Sequence, residues 1–147
     1  MSHFKKIGIY AKNRTSSVIS AIKKLEKSLE SLGCNIFFEK TSGLQLGIKR
    51  DTFLEIDSFC DEIDLCIVVG GDGSMLSACR RIAHANVPLL GVNLGRLGFL
   101  TDISPSEIDN LILPVLSGNY KSTTRFLLEV SVPVSYTHLT LPTTMLV

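Results

Sequence analysis

The chain has 147 residues, 45% of them hydrophobic and 20% charged, which suits one globular domain and is short for two. A net charge of +1, from 15 basic and 14 acidic residues, excludes disorder as the main state and argues against a broad electrostatic grip on nucleic acid. No run reaches the ~18 apolar residues of a membrane helix, and the apolar run 7–11 is too short for a secretory signal. Cys34, Cys60, Cys66 and Cys79 fit no paired metal spacing. They read as reduced thiols of a cytoplasmic protein, serving as small hydrophobes. Every charged residue falls at or before Glu129, so the last 18 residues carry none. That tail is a break in composition.

Residues 7–11 form a short apolar run suited to a buried strand. Val18, Ile22, Leu25, Leu29 and Leu32 follow at helical spacing, with Lys23, Lys24, Lys27 and Glu30 opposite and Gly33 placed to end the helix. Residues 35–39 read as a second strand, 40–50 as an exposed polar loop, and 51–62 as one or two short helical turns. Residues 63–69 are the strongest strand pattern, since Leu65-Cys66-Ile67-Val68-Val69 is apolar on both alternating faces, as in a central parallel strand. After Gly70-Gly71-Asp72-Gly73 a second helix carries Met75, Cys79 and Ile82 on one stripe. Residues 88–92 give another strand. Ser104-Pro105-Ser106-Glu107 is a capping box that starts a helix with Ile108, Leu111, Ile112 and Val115 inward. Pro114 should kink or shorten its end, Gly118 should close it, and 126–132 should form a final strand. Such alternation predicts an α/β fold: a doubly wound, mostly parallel sheet with helices on both faces.

Two constellations carry the chemistry. Gly70-Gly71-Asp72-Gly73-Ser74 stands where a buried strand meets a helix, beyond the carboxyl end of the strand, where open α/β sheets bind ligands. Glycines let the backbone approach a ligand, and the helix start favours phosphate. Asp72 has two functional readings, a magnesium ligand or a proton acceptor, and a structural one, capping the helix. The dinucleotide fingerprint fails because its third glycine position is Leu76, and no Gly-Lys-Ser/Thr occurs. The second constellation, Gly91-Val92-Asn93-Leu94-Gly95-Arg96-Leu97-Gly98-Phe99-Leu100-Thr101-Asp102, also follows a strand. Phe99 there is either a ring offered to a base or core filler with Leu100. Lys12, Asn13 and Arg14, after the first strand, are either phosphate contacts or solvated loop residues.

The pair of motifs, about twenty residues apart, closely resembles NAD kinase, the ATP- or polyphosphate-dependent enzyme that makes NADP. The capped helix, Ser117-Gly118-Asn119-Tyr120 and Arg125-Phe126-Leu127-Leu128-Glu129-Val130 are similar to that family too, so the likeness spans 7 to about 132. The resemblance implies a phosphotransferase that modifies the 2′-hydroxyl of the NAD adenosine ribose, with ATP as donor and Mg²⁺ assisting. It implies that Asp72 is the base, that Gly71 and Gly73 approach the phosphates, and that Phe99 lies at the adenine. Asn93 and Thr101 are then candidate hydrogen-bonding residues for NAD. No resident metal site is expected in the chain itself. A homo-oligomer is implied for the full-length enzyme, with no nucleic acid or membrane partner.

Phosphofructokinase shares the Gly-Gly-Asp-Gly-Ser turn, but its Thr-Ile-Asp-Asn-Asp loop is replaced here by 93–99, without carboxylates. Lipid kinases of the diacylglycerol type share the turn and lack the Leu-Gly-Phe-Leu-Thr-Asp segment. A non-catalytic nucleotide-binding module is the rival of another class. Residues 1–132 thus read as the N-terminal α/β domain of a two-domain kinase. The tail 133–147 is unlike the family, and its charge-free, threonine-rich run suggests a truncated frame or joined non-native sequence, the alternative being a genuine edge strand with a loose end. The β-rich second domain and its Asn-Glu pair are not found in this sequence, so the fragment is expected to be weakly active or inactive.

Overall fold

The computed structural model describes residues 3–48, 53–95, 103–128, 130–133, 136–138 and 143–146. Four strands, β1 (Lys6–Ala11), β2 (Asn35–Phe38), β3 (Leu65–Gly70) and β4 (Leu89–Asn93), lie parallel in the order β2-β1-β3-β4. Helices α1 (Ser16–Ser31), α2 (Lys40–Leu46), α3 (Ile56–Glu62) and α4 (Asp72–Ile82) connect them. Helix α5 (Ile108–Leu116) follows β4. The expected doubly wound α/β sheet is what the chain forms.

Strand alternation explains why both faces are covered. Leu65, Ile67 and Val69 of β3 share a core with Ile7, Ile9, Leu90 and Val92, closed by Val18, Leu25 and Leu29 of α1 and Ile108 and Ile112 of α5. Cys66 and Val68 point the other way, with Tyr10 and Leu89, against Phe59 and Cys60 of α3 and Met75, Cys79 and Ile82 of α4. The predicted stripe Met75, Cys79, Ile82 is fully buried. Gly8 is required by close approach: a Cβ there would stand 2.5 Å from Phe59 Cζ and 2.7 Å from Ile63 Cδ1. All four cysteines are free and buried. Burial pushes the thiols of Cys60 and Cys79 up to about 11, so both stay protonated and inert at neutral pH.

Three stretches differ from the sequence expectation. Most of the polar segment 40–50 is no loop, because residues 40–46 form α2. The Glu39 carboxylate caps it, accepting from the Thr41 and Ser42 amides at 3.0 Å each, and Gly47 closes it at φ 65°. A side-chain cap supplies what hydrophobic pattern does not. Pro114 neither ends nor breaks α5, which runs two residues beyond it before Gly118 closes the turn at φ 98°. The single strand expected over 126–132 is instead β5 (Ser122–Arg125) and β6 (Val130–Val132). Phe126 and Leu128, which made the apolar pattern, are exposed between them. Beyond β6, β7 (Tyr136–His138) pairs antiparallel with it. β8 (Thr143–Leu146) enters the main sheet between β4 and β5, parallel to the first through Leu89 and Met145 and antiparallel to the second. The capping box is present: the Ser104 hydroxyl lies 2.7 Å from Glu107 Oε1, ahead of a 3-10 turn, Pro105–Glu107, that leads into α5.

Candidate functional site

In the sheet, β1 has β2 on one side and β3 on the other. The chain leaves β1 through α1 on one face and leaves β3 through α4 on the opposite face. The carboxyl ends of β1 and β3 therefore part the loops and open a crevice, the switch point of such sheets. A cleft of about 420 Å³ sits there, lined by Asn13 and Thr15 of the first loop, Ser17 of α1, Gly70 and Gly71 at the end of β3, Ser74 of α4, and Asn93 to Gly95 at the end of β4.

The two motifs meet in this cleft. Gly70 and Asn93 are register partners on β3 and β4, and the Leu94 amide donates to the Gly70 carbonyl at 2.9 Å. Asn93 is buried, and its Oδ1 accepts from the Gly95 amide at 3.0 Å, folding the chain back just past the strand. Its side-chain oxygen thus has a structural task besides lining the cleft. At Gly70 a Cβ would collide with the Ser74 hydroxyl and lie 2.8 Å from Ser74 Cβ, so glycine is what lets α4 start this close to β3.

Gly71 is the N-cap of α4, and Asp72 is its first residue, half-buried. The carboxylate is therefore not the capping residue, although a negative charge in the first turn favours the helix dipole. Asp72 adjoins the cleft without belonging to its lining, and Gly73 is exposed beside it. Of the first-loop residues, Asn13 lines the cleft and Lys12 is exposed next to it. Arg14 turns elsewhere: its guanidinium packs over Gly47, where an added Cβ would lie 3.3 Å away. There it faces the negative end of α2. Phe99 and Thr101 lie outside the described residues. Sequence reasoning missed Thr15 and Ser17, and it quoted Ser74 in the glycine motif without a role; their position just past β1 and β3 was the available signal.

A polar clasp fixes α4 and with it the glycine turn. Tyr10 on β1 and Ser77 on α4 share a hydrogen bond of 2.8 Å. Arg81, one turn on, binds the buried Glu39 carboxylate through two bonds of 3.0 and 3.2 Å and lies 5.7 Å from the Tyr10 ring centre. Burial alone would raise the Glu39 pKa, but Arg81 and the two amides outweigh it and hold the carboxyl below its ordinary value. Among the described residues, no group of three or more His, Cys, Asp or Glu gathers as a metal cage, and no helix is long and apolar enough to cross a membrane.

Residues 7–120 match the family model described as the ATP-NAD kinase N-terminal domain. An NAD kinase of Pseudomonas putida is 41% identical over 135 residues, covering 90% of this chain and 45% of that protein. An NAD kinase of Hahella chejuensis is 40% identical over 144 residues, covering 92% and 48% respectively. The chain spans about half the length of the curated relatives it matches. Among solved structures, a yeast NADH kinase complexed with NADH superposes with a TM-score of 0.75 at 18% identity, covering 96% of this chain and 49% of that one. That likeness concerns the fold, and the family-model span 7–120 holds the two turns that meet at Gly70 and Leu94. By fold and by sequence, the chain belongs to the ATP-NAD kinase N-terminal domain family.

Proposed function

We propose that this chain is the nucleotide-binding half of a kinase that phosphorylates the 2′-hydroxyl of the NAD adenosine ribose, with ATP as donor and NADP as product. The observation that carries this reading is the cleft at the β1/β3 switch point, where the Gly70–Ser74 turn and the Asn93–Gly95 turn are joined by a hydrogen bond. The names of the P. putida and H. chejuensis relatives, and the NADH in the yeast structure, support it.

Phosphoryl transfer asks the protein for positioning and charge control more than for covalent chemistry. Gly71 and Gly73 bring bare backbone to the phosphates. Asp72, at the cleft edge, is the base that takes the 2′-hydroxyl proton; standing beside the phosphates instead of among them, it avoids their repulsion. Asn93 and Thr101 offer hydrogen bonds to NAD, and Phe99 stacks near the adenine. One carboxylate beside a phosphate site suits magnesium, which is ordinarily held by one or two carboxylates and substrate phosphates, not by an all-protein cage. Mg²⁺ would be carried by the ATP phosphates and supply charge neutralisation there. The protein works in the cytoplasm, consistent with four buried free thiols, and the full-length enzyme is a homo-oligomer.

Because the chain is about half the length of its relatives, catalysis requires the remainder, and the 147-residue chain should show little turnover. The test is NADP formation by this chain and by a version extended to the relatives' full length. Asp72→Asn in the longer version should abolish turnover and leave NAD binding nearly unchanged. Near-normal turnover of that variant would remove Asp72 from the base role. A longer version that binds nucleotide but forms no NADP would favour the non-catalytic module.

A further inference from the structure

We propose that α2 is a strut that sets the width of the cleft, with Arg14 at its carboxyl end and Arg81 at its capped end as positioning residues for the two walls. The walls stand beyond the part of the sheet that is paired. The ladder between β1 and β3 closes at Ala11 and Val69. Asn13 and Thr15 on one side of the cleft, and Gly71 and Ser74 on the other, lie past that pair. α1 and α4 then run back on opposite faces, with the sheet between them. A third element must set the spacing of the walls.

α2 touches both sides. At its amino end the Glu39 carboxylate accepts from the Thr41 and Ser42 amides and from both Arg81 nitrogens. One group thus fixes the start of α2 and ties it to the helix whose first turn is the glycine turn. At the other end Gly47 closes α2 at φ 65°. The Arg14 guanidinium lies on it, with Cζ, Nη1 and Nη2 each 3.3 Å from where a Cβ would stand. Arg14 follows Asn13 directly, so the first wall is seated on that end. The seven residues of α2 span about 10 Å, and the helix is held against swivelling. Ser42, Gly43 and Leu46 are buried, Leu46 joins the core under α1, and the Phe53 ring leaves no room for a Cβ at Gly43.

Neither arginine lines the cleft, so each acts through the wall it holds. A misplacement of about 1 Å between reacting groups can cost about 100-fold in rate, while each wall keeps its own contacts to a nucleotide. This effect on turnover rests on the kinase reading; the strut itself does not. In the version extended to the relatives' full length, Arg14→Ala and Arg81→Met should each lower kcat about ten-fold and leave KM for ATP and for NAD within about three-fold. The double variant should be no slower than the slower single one, because a strut released at one end carries nothing to the other. Independent residues would instead multiply to about 100-fold. Lys40→Ala, which removes the exposed Lys40–Glu55 pair on the same helix, should leave kcat unchanged.

Backbone amide resonances of the 147-residue chain test the strut without turnover. Arg14→Ala should move Gly71 and Ser74, and Arg81→Met should move Asn13 and Thr15, each on the far wall. Ile112→Ala, a cavity in α5, should move neither pair. Shifts confined to the near wall, or equal shifts in Ile112→Ala, would overturn the proposal. So would an unchanged kcat, losses that multiply, or an equal loss in Lys40→Ala. If Arg81→Met does not fold, Arg14→Ala decides: unmoved Gly71 and Ser74 overturn it. Far-wall shifts in a protein whose extended version forms no NADP would keep the strut and discard the kinase. NADP formation with losses that multiply would do the reverse.

Discussion

The two faces of the sheet are built differently. Under α1 and α5 the core is mainly aliphatic, from Ile7 and Ile9 through Leu25 and Leu29 to Ile108 and Ile112, with Phe4, Phe38 and Cys34 among them. Under α3 and α4 it contains Phe59, Tyr10 and three cysteines, and its margin holds the buried Glu39 with Arg81 and the Tyr10–Ser77 bond. An aliphatic face fixes a helix by volume, which tolerates small slides. Directional bonds fix rotation and register as well. The second kind of face carries α4, whose first turn is the glycine turn of the cleft, so the constraint falls where position matters most.

The largest test of this difference is Arg81→Met. It strands a buried carboxylate and should cost about 3 kcal/mol in urea unfolding at neutral pH, as breaking a buried pair does. The pH dependence has a definite sign. In the wild type the Glu39 pKa is lowered, so its contribution is present above the ordinary carboxyl range and is lost as pH falls through the folded value. In Arg81→Met burial prevails and the pKa rises, so the gap between variant and wild type should close on acidification. A gap independent of pH would remove the ion pair as the cause.

Leu25→Ala, on the aliphatic face, should cost about 3 kcal/mol through lost burial and a cavity, equally at pH 5 and pH 7. Any pH dependence of that cost would blur the distinction between faces. Gly8→Ala should cost about 2 kcal/mol by pushing Cβ into Phe59 and Ile63. Adding Phe59→Leu should recover part of it, and strictly additive losses would show that the collision is relieved elsewhere. Tyr10→Phe deletes one end of the Tyr10–Ser77 bond and should cost about 1 kcal/mol, read as a shift in the thermal midpoint.

Legibility in the sequence followed the same divide. The parallel strands were readable because they are apolar on both faces, and α1 because one face repeats Val18, Ile22, Leu25 and Leu29. The cleft was readable as two motifs after two strands, and their meeting at Gly70 and Leu94 follows from β3 and β4 being neighbours. Glu39 was not readable. It sits at the end of an apolar strand, and nothing local tells that Arg81, 42 residues later, will neutralise it. α2 was hidden for the same reason, since that carboxylate also caps it. Phe126 and Leu128 misled because an apolar run implies burial only when something lies over it, and here both are exposed.

The hydrogen bond from the Leu94 amide to the Gly70 carbonyl has a practical consequence. A single proton at the junction of the two turns reports on both. Its resonance should exchange slowly with solvent deuterium while the turns stay together. A ligand that draws the glycine turn toward itself would change that lifetime even when it touches only one side. Leu94 therefore offers a label-free gauge of the cleft, readable at one backbone position and independent of turnover.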